Sequence, residues 1–176
     1  MIQISVDNRA ALAALQALNP ARIKSRLQGA VRKTLDDARS FATAKLNARY
    51  TRPDFATSNM KLKVGGLRGS LSVSDKRHGL TQYVVNPNTR PPHNPPGGLT
   101  AKVRRADNER LPHAFIGRGQ AFERVGKSRL PLRRLTGPSG AQMLGSKHIA
   151  PQVEGRIAEH IRLEVGRLVV SRFVGW

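Results

Sequence analysis

The sequence predicts an α+β fold, a mainly antiparallel sheet with two long amphipathic helices packed on one face. Three observations predict it. Apolar residues recur every three or four positions towards both ends of the chain, the period of a helix with one buried side. Between those stretches the period falls to two, which belongs to strands. At 176 residues the chain fits one domain, residues 1–176, large enough to enclose a hydrophobic core. One Trp, two Tyr and five Phe leave that core mainly aliphatic.

The first long helix starts at Asn19-Pro20, a side-chain cap followed by a proline at the first helical position. Ile23, Leu27, Val31, Leu35, Ala38, Ala42 and Leu46 then form one apolar stripe, and Pro53 ends the element. A shorter lead-in helix is expected over Ala10–Leu18. Asp36 and Asp37 are read as partners for Lys and Arg at helical spacing on the same helix. Next, Met60, Leu62 and Val64 alternate with lysines, Gly65-Gly66 marks a turn, and Leu71 and Val73 alternate with serines. That pattern is a hairpin. A third strand is expected over Leu80–Val85.

Residues 86–98 carry five prolines and are expected to form a long extended loop. Strand-like pieces resume at Leu99–Arg105, Ala114–Ile116, Phe122–Val125 and Leu130–Leu135, and Gly137–Gly140 is a break. The second long helix spans about 148–172, with Ile149, Val153, Ile157, Ile161, Val165 and Leu168 as its stripe.

Charge dominates the composition. Lys and Arg number 31 against 11 Asp and Glu, a formal net charge of +20. The excess peaks in residues 86–136, where eleven cationic residues face three acidic ones. A folded chain so charged repels itself and favours polyanionic partners. Cysteine is absent, which removes thiol nucleophiles, thiolate metal sites and disulfides. No apolar run is long enough to span a membrane, and Met1–Asp7 does not read as a secretory signal. Synthesis in the cytoplasm without membrane association is expected.

Catalytic patterns are weak. Gly126-Lys127-Ser128 resembles the end of a phosphate-binding loop, but Ala121 stands where that pattern needs glycine, and Pro131 follows where a helix should start. His78, His93, His113, His148 and His160 lack metal-ligand spacing among themselves and are expected at surfaces or caps. Acidic residues are too sparse for paired-carboxylate or magnesium chemistry. No catalytic residue, metal or cofactor is expected. The strongest chemical feature is the basic cluster: Lys102, Arg104, Arg105, Arg110, Arg118, Arg124, Lys127, Arg129, Arg133 and Arg134. On alternating strands several of these would share a face able to meet phosphate. Phe115 and Phe122 are the only nearby aromatics for stacking, and no sequence-reading motif is present. Arg104, Arg105, Arg118, Arg124, Lys127, Arg129, Arg133 and Arg134 are the candidate contacts with DNA or an acidic partner.

Three short motifs occur in order: Leu111-Pro112-His113-Ala114-Phe115-Ile116, then Val125-Gly126-Lys127-Ser128-Arg129-Leu130-Pro131-Leu132, then Leu135-Thr136-Gly137-Pro138-Ser139. In this order they resemble the minor tail protein Z, or tail-completion, family of long-tailed bacteriophages and prophages. Leu132 stands where that family usually has Ile. The resemblance spans roughly residues 20–172. It implies a structural virion protein in the neck region, completing the tail and helping join it to the head. It further implies a homo-oligomeric ring around the DNA channel, with tail tube, terminator and connector proteins as neighbours. Pro131, Gly137 and Pro138 are expected to fix the backbone of the sheet and its turns. From another class, the alternative is a small non-sequence-specific DNA-binding protein.

Overall fold

The computed structural model describes residues 20–87 and 97–173. The expected lead-in helix, the Asn19 cap and residues 88–96 of the proline-rich loop lie outside the described residues. Helix α1 runs over Pro20–Arg49, as its stripe predicts. Leu35, Ala38, Ala42 and Leu46 are buried, and Leu27 and Val31 half-buried. Tyr50 then pairs with Arg104, and a one-turn helix α2 follows over Asp54–Thr57.

The hairpin forms as expected from β1 (Met60–Gly65) and β2 (Arg68–Val73). Its two-residue loop opens on Gly66 at φ 63°, a conformation that glycine adopts without steric cost. After a 3-10 turn over Leu80–Gln82, seven more elements precede the last helix. Their order is β3 (Val84–Asn86), β4 (Leu99–Lys102), β5 (Glu109–Leu111), β6 (Ala114–Gly117), β7 (Gln120–Arg124), β8 (Leu132–Arg134) and helix α3 (Gly140–Leu144). Helix α4 covers Ala150–Phe173.

The fold is α+β with antiparallel pairing in every sheet. The strands divide into three small sheets, β1–β2, β3–β4–β5 and β6–β7–β8. Helix α1 lies on the hairpin and α4 lies along α1. Successive polar contacts give the direction of that helix pair. Lys33 meets Glu164 at 3.7 Å, Thr34 meets His160 at 3.3 Å, and Asp37 meets Arg156 at 2.8 Å. Numbers rise on one helix as they fall on the other, so the two run antiparallel. Alanines at 38 and 42 keep the seam thin enough for Ile149 and Val153 to pack against α1.

Asp37 is therefore not a same-helix partner. Its carboxylate takes two hydrogen bonds from the Arg156 guanidinium across the seam. That bond, opposed by modest burial, holds its pKa below the ordinary value. A bidentate guanidinium fixes the register more firmly than a mobile same-helix lysine would.

Two cores result. The first joins α1 and α4 through Leu46, Tyr50, Met60, Tyr83, Met143, Ile149 and Val153. The second lies between the two three-stranded sheets and contains Leu80, Val85, Leu99, Ala101, Ala114 and Ala121. Val103 packs against both.

The expected strand over Leu80–Val85 is mostly something else. Leu80–Gln82 is a 3-10 turn, and only Val84–Asn86 joins a sheet. Backbone bonds from Gln82 to Gly79 and from Tyr83 to Leu80 close the turn, and the Thr81 hydroxyl reaches the Gly119 carbonyl at 3.0 Å. Strand β5 and helix α3 were not expected at all. Helix α3 starts inside the supposed break, with Ser139 and Gln142 forming a reciprocal capping box.

Candidate functional site

The register of β6, β7 and β8 divides the candidate cations by face. Ala114 pairs with Glu123, Ile116 with Ala121, and Glu123 with Arg133. Side chains opposite each other in a ladder share a face, so this side carries the buried Ala114 and Ala121 of the second core. The other side carries Phe115 opposite Phe122, Phe122 opposite Arg134, and Arg124 opposite Leu132. It faces outward. The two phenyl rings lie 6.2 Å apart, and the Arg124 guanidinium sits 6.0 Å from the Phe115 ring centre. The two aromatics near the basic cluster thus share one face with two of its arginines.

The remaining cations distribute around this sheet. Arg118 occupies the β6–β7 turn at φ 48°, beside Gly119 at 74°. Lys127 and Arg129 lie exposed in the loop between β7 and β8. Arg133 is on the inner face and forms an ion pair with Glu123, so part of its charge is already answered. Arg134 lies exposed, its guanidinium near Gly79.

Arg104 and Arg105 belong elsewhere. They follow β4 and stand against the C-terminal end of α1, where Arg105 donates to the Asn47 carbonyl at 2.7 Å and Arg104 pairs with Asp107 at 3.0 Å. With Lys45, Arg49 and His148 they line a cleft of about 400 Å³. Nothing local in the sequence marks this second site, because Lys45 and Arg49 meet Arg104 and Arg105 only through folding.

The motif residues hold the frame. Gly137 lies against the Tyr83 ring so closely that a side chain there would collide with it. The Tyr83 hydroxyl donates to the Pro138 carbonyl at 2.5 Å, and Ser139 caps α3. Burial pushes the Tyr83 phenol far above its ordinary value, so it acts as a fixed donor. The peptide before Pro131 is cis, and the Pro131 carbonyl accepts from Val125. The Tyr83 contacts agree with a backbone-fixing role for Gly137 and Pro138.

A further constellation centres on His78. His78 is held between Asp75 at 2.6 Å on Nε2 and Gln82 at 3.0 Å on Nδ1, and it stacks on Phe55 at 3.7 Å. Burial acts to raise the Asp75 pKa, but hydrogen bonds from His78 and from the Lys76 and Gly140 amides bring it below the ordinary value. With both ring nitrogens engaged, this imidazole serves as a clamp between residues 75–82 and the start of α3. The Asp-x-x-His spacing with Gln four residues on was the available signal. Of the other histidines, His160 meets Thr34, while His113 and His148 are exposed; His93 lies outside the described residues. Among the described residues, no three metal-ligating side chains cluster.

No protein-family model matches the sequence, and neither curated proteins nor solved structures show a significant match to the chain.

Proposed function

We propose that this chain is a structural virion protein that completes the tail of a long-tailed bacteriophage and helps join tail to head. In this role it assembles as a ring around the DNA channel, with tail tube, terminator and connector proteins as neighbours. The observation that carries the proposal is the ordered run of three motifs across residues 111–139. Those motifs supply β6, the β7–β8 loop and the turn on which Tyr83 rests. A set of motifs that builds a frame suits a protein selected for its shape and contacts.

Surface chemistry supports assembly. Val125 and Leu130 in the β7–β8 loop are 65% and 68% exposed, next to Lys127 and Arg129. Apolar tips flanked by cations are the composition of a surface that docks on an acidic neighbour. The alternative, a non-sequence-specific DNA-binding protein, draws on the outward Phe115–Phe122 face with Arg124 and Arg134. Two measurements separate them. Sedimentation and negative-stain imaging of the purified chain should give closed rings, with weak duplex affinity. A monomer whose duplex affinity is tight and falls steeply with salt would overturn the tail proposal and favour the alternative.

A further inference from the structure

We propose that the cleft between the end of α1, the start of α4 and residues 104–107 is a binding site for a phosphate-bearing anion. The inference does not rest on the tail proposal. It takes Arg104 and Arg105 from the candidate contacts and assigns them, with Lys45, Arg49 and His148, to one concave site of about 400 Å³.

The charge balance of the cleft is the first argument. Four permanent cations line it against a single carboxylate, Asp107, and that carboxylate is already paired with Arg104. Among the described residues, Lys45, Arg49 and Arg105 have no acidic partner. Like charges gathered in one concavity repel, and an anion placed among them relieves every pair at once. Arg49 sharpens the case. Its Nε is closed to solvent and has no hydrogen-bond partner, so part of this guanidinium has lost water without gaining an acceptor. An anion on its outer nitrogens would offset that loss.

A second sign comes from the neighbouring histidine. His148 is exposed, yet Arg49, slight burial, Lys147 and Arg104 together hold its pKa below the ordinary value, with Arg49 the largest influence. The field in the cleft mouth is thus positive and unanswered. The positive end of the 24-residue helix α4 opens beside it, with no acidic residue in the first turn. Guanidinium forks from Arg104 and Arg105 suit the oxygens of a phosphate better than those of a single hydroxyl or amide. Arg105 has its Nε committed to the Asn47 carbonyl, which leaves its two terminal nitrogens to turn into the cleft.

The probe is inorganic tripolyphosphate, followed through the His148 ring protons by NMR on the intact chain. Saturable movement of the His148 signals is expected, with its pKa rising as the anion fills the cleft. Lys45→Gln with Arg104→Gln should weaken binding by roughly tenfold or more, as loss of two charge-assisted contacts requires. Arg124→Gln with Arg129→Gln, on the distant sheet and loop, should change it by no more than about twofold. Neither pair removes a buried side chain, so folding is preserved in both; Arg49 is left intact for the same reason. A duplex of about 20 base pairs is then added as competitor. Displacement identifies the phosphate as that of a nucleic-acid backbone; failure to displace identifies a small phosphate ester, and both lie within the proposal. Three results overturn it: no saturable change at His148, equal weakening by both variant pairs, or tighter binding of a poly-glutamate peptide than of tripolyphosphate.

Discussion

The two basic regions of the molecule are built from the same side chains and differ in what surrounds them. On the β6–β7–β8 sheet the cations stand apart on strands, a turn and a loop, each bathed by water. One of them, Arg133, is paired with Glu123, and Arg124 leans on the Phe115 ring. In the cleft, Lys45, Arg49, Arg104 and Arg105 converge from two chain segments on one concavity. Dispersed cations suit an extended partner met at many points, where each contact is weak and screened by salt. Converging cations suit a compact anion, since all of them act on one centre of charge. Net charge alone does not distinguish these two designs.

The largest effects should come from the leucines buried beneath each region. Leu46 and Leu99 are both fully buried, one in the core that carries the cleft, the other between the sheets. Leu46→Ala and Leu99→Ala should each lower stability by about 2–5 kcal/mol, measured by urea unfolding. Hydrogen exchange should separate them. Leu46→Ala should expose the amides near Lys45 and Arg49, and Leu99→Ala those of β3–β5. Identical exchange patterns would show that the two regions unfold as one unit and would erase the distinction drawn between their cores.

Next in size is the sheet itself. Under the tail proposal, replacing Arg124, Arg129 and Arg133 with Gln should lower incorporation of the chain into tails, and unchanged incorporation would refute a contact role for them. On duplex DNA the same variant should reduce the slope of log affinity against log salt by about two, not three. Arg133 contributes less because Glu123 already answers part of its charge. A full decrease of about three would mean that the Arg133–Glu123 pair opens on binding.

Much of the frame was legible in the sequence because it rests on periodicity. The stripes of α1 and α4 and the alternation of β1 and β2 are one-dimensional patterns that burial enforces on each element separately. Strand β5 was not legible. Glu109-Arg110-Leu111 has no apolar alternation and is a strand only because its backbone pairs with β4. Helix α3 carried a readable Ser-x-x-Gln cap that the neighbouring glycines and proline obscured. The basic cluster was visible from residue 102 to 134 as a count, but its division was not. Pairing register decides which arginines share a face, and tertiary contact brings Lys45 and Arg49 to Arg104. The partnership of Asp37 with Arg156 was hidden for the same reason, 119 residues separating the two.

That partnership gives a smaller, pH-dependent effect. The Asp37 pKa is lowered in the fold by the Arg156 hydrogen bond, so the unfolded chain takes up this proton more readily. The pair's contribution is therefore present above the ordinary carboxylate value of 3.8 and lost as the pH falls through the lower, folded one. Asp37→Asn should cost about 1 kcal/mol at neutral pH, the scale of a partly exposed bidentate pair. It should flatten the acid limb of the stability curve as well. An unchanged acid limb would place the pH dependence on other carboxylates, with Asp75 the first to test.

The smallest effect lies at the cleft mouth and bears most directly on the comparison. Around the exposed His148 the uncompensated cations, Arg49 first, act together with slight burial to hold its pKa down. The unfolded chain, free of that field, binds the proton first as the pH drops through the ordinary histidine value of 6.5. Stability should therefore decline shallowly from that pH downward, levelling once the folded form is protonated too. His148→Gln should remove this decline. Saturating tripolyphosphate should also remove it, by answering the charge of Arg49 and Arg104 that causes it. If tripolyphosphate leaves the decline in place while still binding the protein, the anion is held by the dispersed cations, and the two regions do not differ in function as they differ in shape.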